Sequence, residues 1–130
     1  MQLSKSSRIF LAGHKGMVGS SILRTLRKKG YKNIFFENRH SLDLIDQKKT
    51  YKYLKKIKPE FVIIAAAKVG GILANNNYKA QFIYENIMIQ TNVIHGAFKA
   101  NIKNIIFLGS SCIYPKLSKQ PIKEKYLLSG

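Results

Sequence analysis

The strongest chemical signal in the sequence is a glycine-rich segment with the spacing G-x-x-G-x-x-G. It follows a short apolar run and opens a stretch with helical periodicity. Glycines in this position permit a tight turn, let backbone amides approach a pyrophosphate and allow close packing of helix on strand. The helix N-terminus adds free N–H donors and a positive dipole end. A structural glycine turn is the alternative, but we expect dinucleotide contacts from the whole segment: Gly13, His14, Lys15, Gly16, Met17, Val18 and Gly19.

Two charged residues near the end of the second predicted strand bear on which dinucleotide is bound. Glu37 can accept hydrogen bonds from the ribose of NAD, whereas Arg39 can pair with the 2′-phosphate of NADP. Lys15 adds a second cation on the same side and favours NADP. For Glu37, a solvated strand end is an alternative to a ribose contact.

A second cluster of reactive side chains, Ser110-Ser111-Cys112, comes directly after the fourth predicted strand. Parallel α/β sheets bind their ligands at the carboxyl ends of the strands. A hydroxyl there can hydrogen-bond a substrate oxygen, and a thiol can exchange a proton if its pKa lies near neutral. A capped turn with a buried, inert cysteine is the alternative.

The elements that position these residues alternate along the chain. Short apolar runs predict strands, and apolar residues at helical spacing predict helices that end near Gly30, Pro59 and Ala100. A Gly-Gly and Asn-rich loop follows the third strand, and the tail from residue 110 is predicted to be a loop. The strands are expected at residues 8–12, 33–36, 61–64 and 104–108, and the helices at 17–29, 46–58 and 78–100.

This alternation predicts an α/β fold with a doubly wound parallel sheet of the Rossmann type. We expect residues 1–130 to be the N-terminal part of one dinucleotide-binding domain, with the substrate domain absent. We further expect the strand order 3-2-1-4, which leaves the fourth, apolar strand at an exposed edge. Of the three histidines, His95 is predicted to be packed within the last helix.

Composition excludes several classes of protein. The chain has 45% apolar residues, which is ordinary for a globular domain, and one cysteine, so no intrachain disulfide can form. No metal-ligand spacing, signal peptide or membrane span is evident, and we expect a cytoplasmic location. Lys and Arg number 23 against six acidic residues, a net charge of +17. Because the lysines are dispersed without an aromatic-basic motif, we favour a solvated surface over nucleic-acid binding.

Several longer strings carry a resemblance to a known family. Ala65-Ala-Ala-Lys-Val-Gly-Gly71, Phe82-Ile-Tyr-Glu-Asn86 and Leu108-Gly-Ser-Ser-Cys-Ile-Tyr-Pro-Lys116 accompany the glycine segment. Together they resemble the GDP-L-fucose synthase family, the GDP-4-keto-6-deoxy-D-mannose epimerase-reductases among the extended short-chain dehydrogenases/reductases. The similarity runs from Arg8 to the end of the chain.

The resemblance implies epimerisation at C3 and C5 of a GDP-keto-sugar, followed by reduction of the C4 ketone by NADPH. Ser110 matches the family's catalytic serine, which polarises the carbonyl, and Cys112 matches the cysteine that transfers protons during epimerisation. Ser111 is implied to contact the substrate. Donors that hold the ketone oxygen make the neighbouring C–H acidic, which explains why these residue types are needed.

The resemblance also implies cofactor contacts outside the glycine segment. Lys15 and Arg39 fall where the family's cations meet the 2′-phosphate, although Lys15 is commonly arginine in relatives and provides only a point charge. Asp43 and Leu44 fall at the adenine, and Ala65 and Ala66 belong to the cofactor site. Glu37 replaces a residue that is usually uncharged or basic.

Part of the family's machinery is expected to be missing from these 130 residues. Family members are about two and a half times as long, and their active-site Tyr-x-x-x-Lys helix begins shortly after this point; Tyr114 is followed four residues on by Ser118. We therefore expect the chain alone to be inactive. The helix at 78–100 resembles the family's dimer-forming helix. A related nucleotide-sugar epimerase or dehydratase, or a non-catalytic nucleotide-binding remnant, is the alternative.

Overall fold

A computed structural model describes residues 3–129 and shows four parallel strands and four helices, with one or two helices between successive strands. The predicted fold class is confirmed, and most element boundaries agree with the sequence within two residues. Two short 3₁₀ turns occupy residues 111–113 and 124–126. In chain order the elements are β1 (Ile9–Ala12), α1 (Met17–Lys28), β2 (Ile34–Phe35), α2 (Gln47–Ile57), β3 (Phe61–Ile64), α3 (Ile72–Asn77), α4 (Lys79–Lys99) and β4 (Asn104–Phe107).

The strand order is β2-β1-β3-β4, so the predicted order 3-2-1-4 is wrong. β3 pairs with β1 along its whole length, from Ile9 opposite Phe61 to Ala12 opposite Ile64. Apolar composition identified β3 as a buried strand but carried no information about its neighbours. β4 does lie at an edge of the described sheet, as expected, and Ile106 and Phe107 are about half exposed there.

Alternate side chains of β1 enter two different cores, which makes the molecule three layers thick. Ile9 and Leu11 pack with Leu23 of α1 on one face of the sheet. Phe10 packs with Leu54 of α2 on the opposite face, where Val93 and Ala97 of α4 join it. This alternation explains why β1 is apolar throughout, since both of its faces are covered.

α3 and the exposed face of α4 depart from the sequence prediction. α3 lies where an Asn-rich loop was expected. It contains no buried residue, so its sequence shows no apolar periodicity from which a helix could be predicted. The buried residues of α4 are Asn92, Val93, Gly96 and Ala97. The apolar residues whose spacing predicts this helix are Phe82, which is half-buried, and four that are exposed: Ile83, Ile87, Ile94 and Phe98. The exposed face of α4 therefore carries an apolar row of its own.

His95 is exposed on this helix, so its prediction as a packed residue is wrong. Its Nδ1 lies 2.6 Å from the hydroxyl of Tyr51 on α2, and its ring stacks on Phe98. Within the described residues, no helix is long and apolar enough to span a membrane. The same residues contain no group of three or more His, Cys, Asp or Glu side chains that could hold a metal ion.

Candidate cofactor cleft

The candidate site is a cleft of about 280 Å³ at the carboxyl ends of β1 and β3. The chain passes from β1 through α1 to β2 on one side and reaches β3 on the other, so the order reverses between β1 and β3. Open α/β sheets bind ligands at such a switch point. Nine predicted cofactor residues line the cleft: Gly13, His14, Lys15, Gly16, Arg39, Asp43, Leu44, Ala65 and Ala66.

Glycine is required at two positions of the turn between β1 and α1. Gly13 has φ +90°, and a Cβ there would lie 2.6 Å from the backbone of Ala65 and Ala66. A Cβ on Gly19 would collide with the carbonyl group of Gly13. Gly13 therefore lets the turn approach the end of β3, and Gly19 lets α1 approach the turn, more closely than any side chain would allow. A pyrophosphate cradle needs such close packing.

Gly16 serves a different purpose, because it has ordinary backbone angles and is not crowded. It is the N-cap of α1, with φ −69° and no capping side chain. The only neighbouring atom that a Cβ would meet within 4 Å is the Gly13 oxygen, at 3.5 Å. The unpaired N–H groups of the first helical turn lie beside this open space. A side chain at position 16 would occupy this space, which is where a phosphate is predicted.

The side chains of Met17 and Val18 do not line the cleft. Met17 is 87% exposed and Val18 is 48% exposed. Only their backbone amides, in the first turn of α1, are placed for contact with a phosphate. Their assignment to the cofactor site stays a prediction, as does that of Gly19, whose visible role is the packing described above.

The end of β2 supplies the cleft with both Glu37 and Arg39. The Tyr53 hydroxyl donates to Glu37 Oε1 at 3.4 Å, and burial, with Glu37 nearby, raises the pKa of Tyr53 to about 12. The His14 ring lies 4.6 Å from the Phe36 ring at a tilt of 37°. Partial burial is the main cause that lowers the pKa of His14, assisted by the charge of Lys15. His14 is therefore neutral at pH 7, and the cations that line the cleft are Lys15, Arg39 and Lys68.

The sequence did not single out Lys68 and Glu85, which also line the cleft. Asn86 fixes the loop after β3: its amide donates to the Lys68 carbonyl at 2.9 Å and accepts from the Lys68 amide at 2.8 Å. Lys68 Nζ lies 2.6 Å from Glu85 Oε1. Lys68 and Glu85 belong to the segments 65–71 and 82–86, which carry the family resemblance. An ion pair between positions 17 residues apart could not be predicted from the sequence.

Two buried or half-buried polar groups hold residues 43–45 at the rim of the cleft. Asn92, fully buried on α4, donates to the carbonyls of Leu44 and Ile45 at 2.9 Å each. Asp43 accepts from the Ile45 amide at 3.1 Å. These bonds tie the segment after β2 to α4, so Asp43 and Leu44 keep a fixed place at the rim of the cleft.

Ser110 lies in a neighbouring groove rather than in the cleft itself. The groove also includes Lys68 and Asn86, so it adjoins the cleft at Lys68. Ser110 Oγ accepts a hydrogen bond from the Cys112 amide at 3.1 Å, which starts a 3₁₀ turn. Ser111 and Cys112 are exposed, so the alternative of a buried cysteine is excluded, while their chemical roles stay predictions.

The expected absence of a Tyr-x-x-x-Lys pair needs a correction. Tyr51 and Lys55 have this spacing on α2. Tyr51 is bonded to His95 on the outer surface of α2 and α4, and neither Tyr51 nor Lys55 lines the cleft or the Ser110 groove. The spacing is therefore present, but not at the site where a carbonyl would be held.

Comparisons with known proteins agree with the predicted resemblance. The model of the NAD dependent epimerase/dehydratase family matches residues 9–130. GDP-L-fucose synthase 1 of Arabidopsis thaliana is 52% identical over 126 residues, which are 97% of this chain and 39% of that protein. GDP-L-fucose synthase of Escherichia coli (strain K12) is 49% identical over 95% of the chain and 38% of its own length.

A solved structure is also similar. MlghC, a GDP-mannoheptose C4 reductase from Campylobacter jejuni with NADP bound, has a TM-score of 0.91 and 43% identity. The match covers 99% of this chain and 41% of MlghC. The chain thus spans about two fifths of the length of each of these relatives.

Proposed function

The chain belongs to the NAD dependent epimerase/dehydratase family, and from this premise we propose that it is the cofactor-binding part of a GDP-L-fucose synthase, an NADP-dependent epimerase-reductase. The observation that carries the proposal is the cleft at the glycine turn, where Gly16 leaves room for a phosphate and Lys15 and Arg39 supply charge. GDP-4-keto-6-deoxy-D-mannose is the proposed substrate, and GDP-L-fucose the product.

In this proposal each part of the cleft binds a different part of NADPH. The turn at 13–19 binds the pyrophosphate, and Ala65 and Ala66 form the wall opposite it. Arg39 and Lys15 pair with the 2′-phosphate, and Asp43 and Leu44 border the adenine. When bound, NADPH supplies the hydride that reduces the C4 ketone.

Ser110 and Cys112 are proposed to handle the sugar. A hydroxyl has one donor and two acceptor sites. Because Ser110 Oγ already accepts from the Cys112 amide, its proton is left to donate to the ketone oxygen. Polarisation of the carbonyl acidifies the protons at C3 and C5. The Cys112 thiolate then takes a proton from one face of the carbon, and a proton that comes from solvent is added to the opposite face, which inverts the centre. Ser111 is proposed to contact the sugar beside them.

Removing the two cations tests the cofactor assignment. We expect wild-type chain to bind NADPH more tightly than NADH in a calorimetric titration. Lys15→Ala and Arg39→Ala should each narrow this preference by roughly three- to tenfold, because each removes a charged hydrogen bond to the 2′-phosphate. Lys119→Ala, in the tail and outside the cleft, is the matched control. Equal affinities of wild type for the two dinucleotides would contradict the assignment.

A second candidate is a GDP-sugar C4 reductase that does not epimerise, which the likeness to MlghC favours. The two functions differ in what Cys112 does. In a polypeptide extended to the length of the relatives, fucose synthase activity requires that the substrate protons at C3 and C5 exchange with solvent deuterium. Cys112→Ser should stop this exchange while reduction of a pre-epimerised substrate continues. Reduction without any wild-type exchange would favour the simple reductase.

We also propose that the 130 residues alone do not turn over and that the extended polypeptide forms a homodimer. For turnover, the chain offers no tyrosine–lysine pair at the cleft or the Ser110 groove. For the dimer, the apolar row on α4 supplies a self-complementary surface; Phe98 is 72% exposed and Ile83 is 63% exposed. Phe98→Asp should shift the molar mass in light scattering from two copies to one, whereas Lys99→Asp should not.

A further inference from the structure

Glu85 places a carboxylate inside the cleft, between two cations that come from different loops. Lys68 donates from Nζ to Oε1 at 2.6 Å, and Arg39 donates from Nη2 to Oε2 at 3.2 Å. The Glu85 side chain is only 15% exposed, against 65% for Arg39. Both carboxylate oxygens are thus engaged, and the groups that they join lie at the adenosine end of the cleft.

Glu85 is ionised at neutral pH. The hydrogen bond from Lys68 lowers the pKa of Glu85 below its ordinary value of 4.5, and it outweighs the opposing effect of burial. The charge of Arg39 acts in the same direction. The cleft therefore contains a fixed negative charge in direct contact with the cation that is proposed to meet a phosphate.

Arg39 has a second acidic partner as well. Its Nε donates to Asp43 Oδ2 at 3.4 Å. Arg39 and Lys68 contribute two positive charges, and Asp43 and Glu85 contribute two negative ones, so this group of four is neutral as a whole. A guanidinium has five N–H donors, so Arg39 can still bond to a phosphate, but the phosphate then approaches two carboxylates.

We infer that Glu85 is a specificity-determining residue of this cleft: by neutralising Arg39 it weakens recognition of a 2′-phosphate and reduces the preference for NADPH over NADH. The inference rests on the proposed function, since it requires that the dinucleotide occupies the cleft. It extends that function, because it assigns opposing effects to residues that line one site.

Glu85 does not act mainly by orienting Arg39, for a reason visible in the contacts. Arg39 Nε also donates to Asp43 Oδ2, so we expect the guanidinium to stay anchored when the charge of Glu85 is removed. The bond from Arg39 Nη2 to Glu85 Oε2, in contrast, weakens, so this donor and its positive charge become available to a phosphate. Because a charge contact with a mostly buried carboxylate is poorly screened, this gain outweighs any loss of orientation.

The experiment uses an isosteric variant and a control with the same change in total charge. Glu85→Gln keeps the shape of the side chain and raises the net charge from +17 to +18. Glu124→Gln makes the same change at an exposed position of the tail outside the cleft. Calorimetric titrations with NADPH and NADH should show NADPH binding that is about three- to tenfold tighter in Glu85→Gln, as expected for one charge contact. NADH binding, and both affinities of Glu124→Gln, should stay within about twofold of wild type.

A double variant shows whether Glu85 acts through Arg39. In an Arg39→Ala background, the gain from Glu85→Gln should disappear, since interacting residues do not have additive effects. Glu85→Ala should change affinity in the same direction as Glu85→Gln, which provides a second variant. A gain of affinity also cannot arise from failed folding.

Three results separate the possible failures. If folded Glu85→Gln and Glu85→Ala bound NADPH no more tightly than wild type, the inference would be overturned. Binding of NADPH by the wild-type chain would still support the proposed function in that case. A gain that persisted without Arg39 would also overturn it. A wild-type chain that bound neither dinucleotide would overturn the proposed function first, and the inference with it.

Discussion

Gly16 and Gly19 of the turn should respond differently to the same added methyl group, because the structure surrounds them differently. At Gly19, an Ala Cβ would lie 2.7 Å from the Gly13 carbonyl carbon and closer still to its oxygen. Backbone atoms cannot rotate away, so we place the steric cost at about 3 kcal/mol, the upper part of the range for overpacking. The better helix propensity of Ala offsets about 1 kcal/mol of this.

The net loss for Gly19→Ala is thus about 2 kcal/mol, which lowers the Tm of a chain this size by roughly 8 °C. At Gly16 the Cβ would meet only the Gly13 oxygen, at an ordinary 3.5 Å. Replacing an N-cap glycine by alanine costs less than about 1 kcal/mol, so Gly16→Ala should fold nearly as well as wild type. Its methyl group would fill the space proposed for the pyrophosphate, and NADPH affinity should fall at least about tenfold.

Gly71→Ala is the matched control for Gly16→Ala. Gly71 is also an N-cap, that of α3, with φ −68° and nothing within 4 Å of an added Cβ. Thermal unfolding followed by circular dichroism measures stability, and calorimetry measures NADPH affinity. If Gly16→Ala and Gly71→Ala bound NADPH equally well, the assignment of the turn to the pyrophosphate would be refuted. If Gly19→Ala unfolded at the wild-type temperature, the steric reasoning would be wrong.

Two further changes test other parts of the structure. Asn86→Ala should lower the free energy of unfolding by about 1–3 kcal/mol, because it leaves the amide and carbonyl of Lys68 without their partner. Denaturant unfolding measures this loss. A wild-type midpoint would contradict the role of Asn86 in fixing the loop. Asp46 caps α2, and its hydrogen bond from the Lys49 amide lowers the pKa of Asp46 below 3.8. The ionised Asp46 side chain contributes to stability above pH 3.8, and this contribution is lost as the pH falls through the lower pKa of the folded state. Asp46→Asn should therefore reduce the loss of stability at acidic pH. An unchanged slope of stability against pH would exclude Asp46 as a cause of that loss.

Much of the fold and part of the site could be predicted from the sequence. Each strand and long helix was predicted because apolar periodicity reports burial directly, and the glycine spacing identified the turn. The order of the strands could not be predicted, since the apolar sequence of β3 is equally compatible with the expected order and with the observed one. α3 could not be predicted because none of its residues is buried and no period marks it.

The site shows the same division between local and long-range information. Gly13, Lys15 and Arg39 were predicted from local spacing, and they line one cleft. The pairing of Lys68 with Glu85 depends on how the loop after β3 meets α4, which no local pattern records. The apolar period of α4 indicated Ile83, Ile87, Ile94 and Phe98, which are exposed. The small residues Gly96 and Ala97 are buried instead, and Gly96 lies close to Tyr51 and Leu54 of α2.

Amide hydrogen exchange with and without NADPH tests the central claim most directly, namely that the cofactor occupies the switch point between β1 and β3. NADPH should slow exchange in peptides that cover 13–19, 37–44 and 65–68, and leave peptides covering the tail at 117–129 unchanged. NADH should protect the first and last of the three cleft segments with a smaller effect at 37–44, where Arg39 meets the 2′-phosphate. Protection that was absent from 13–19 and 65–68 at saturating NADPH would contradict the claim.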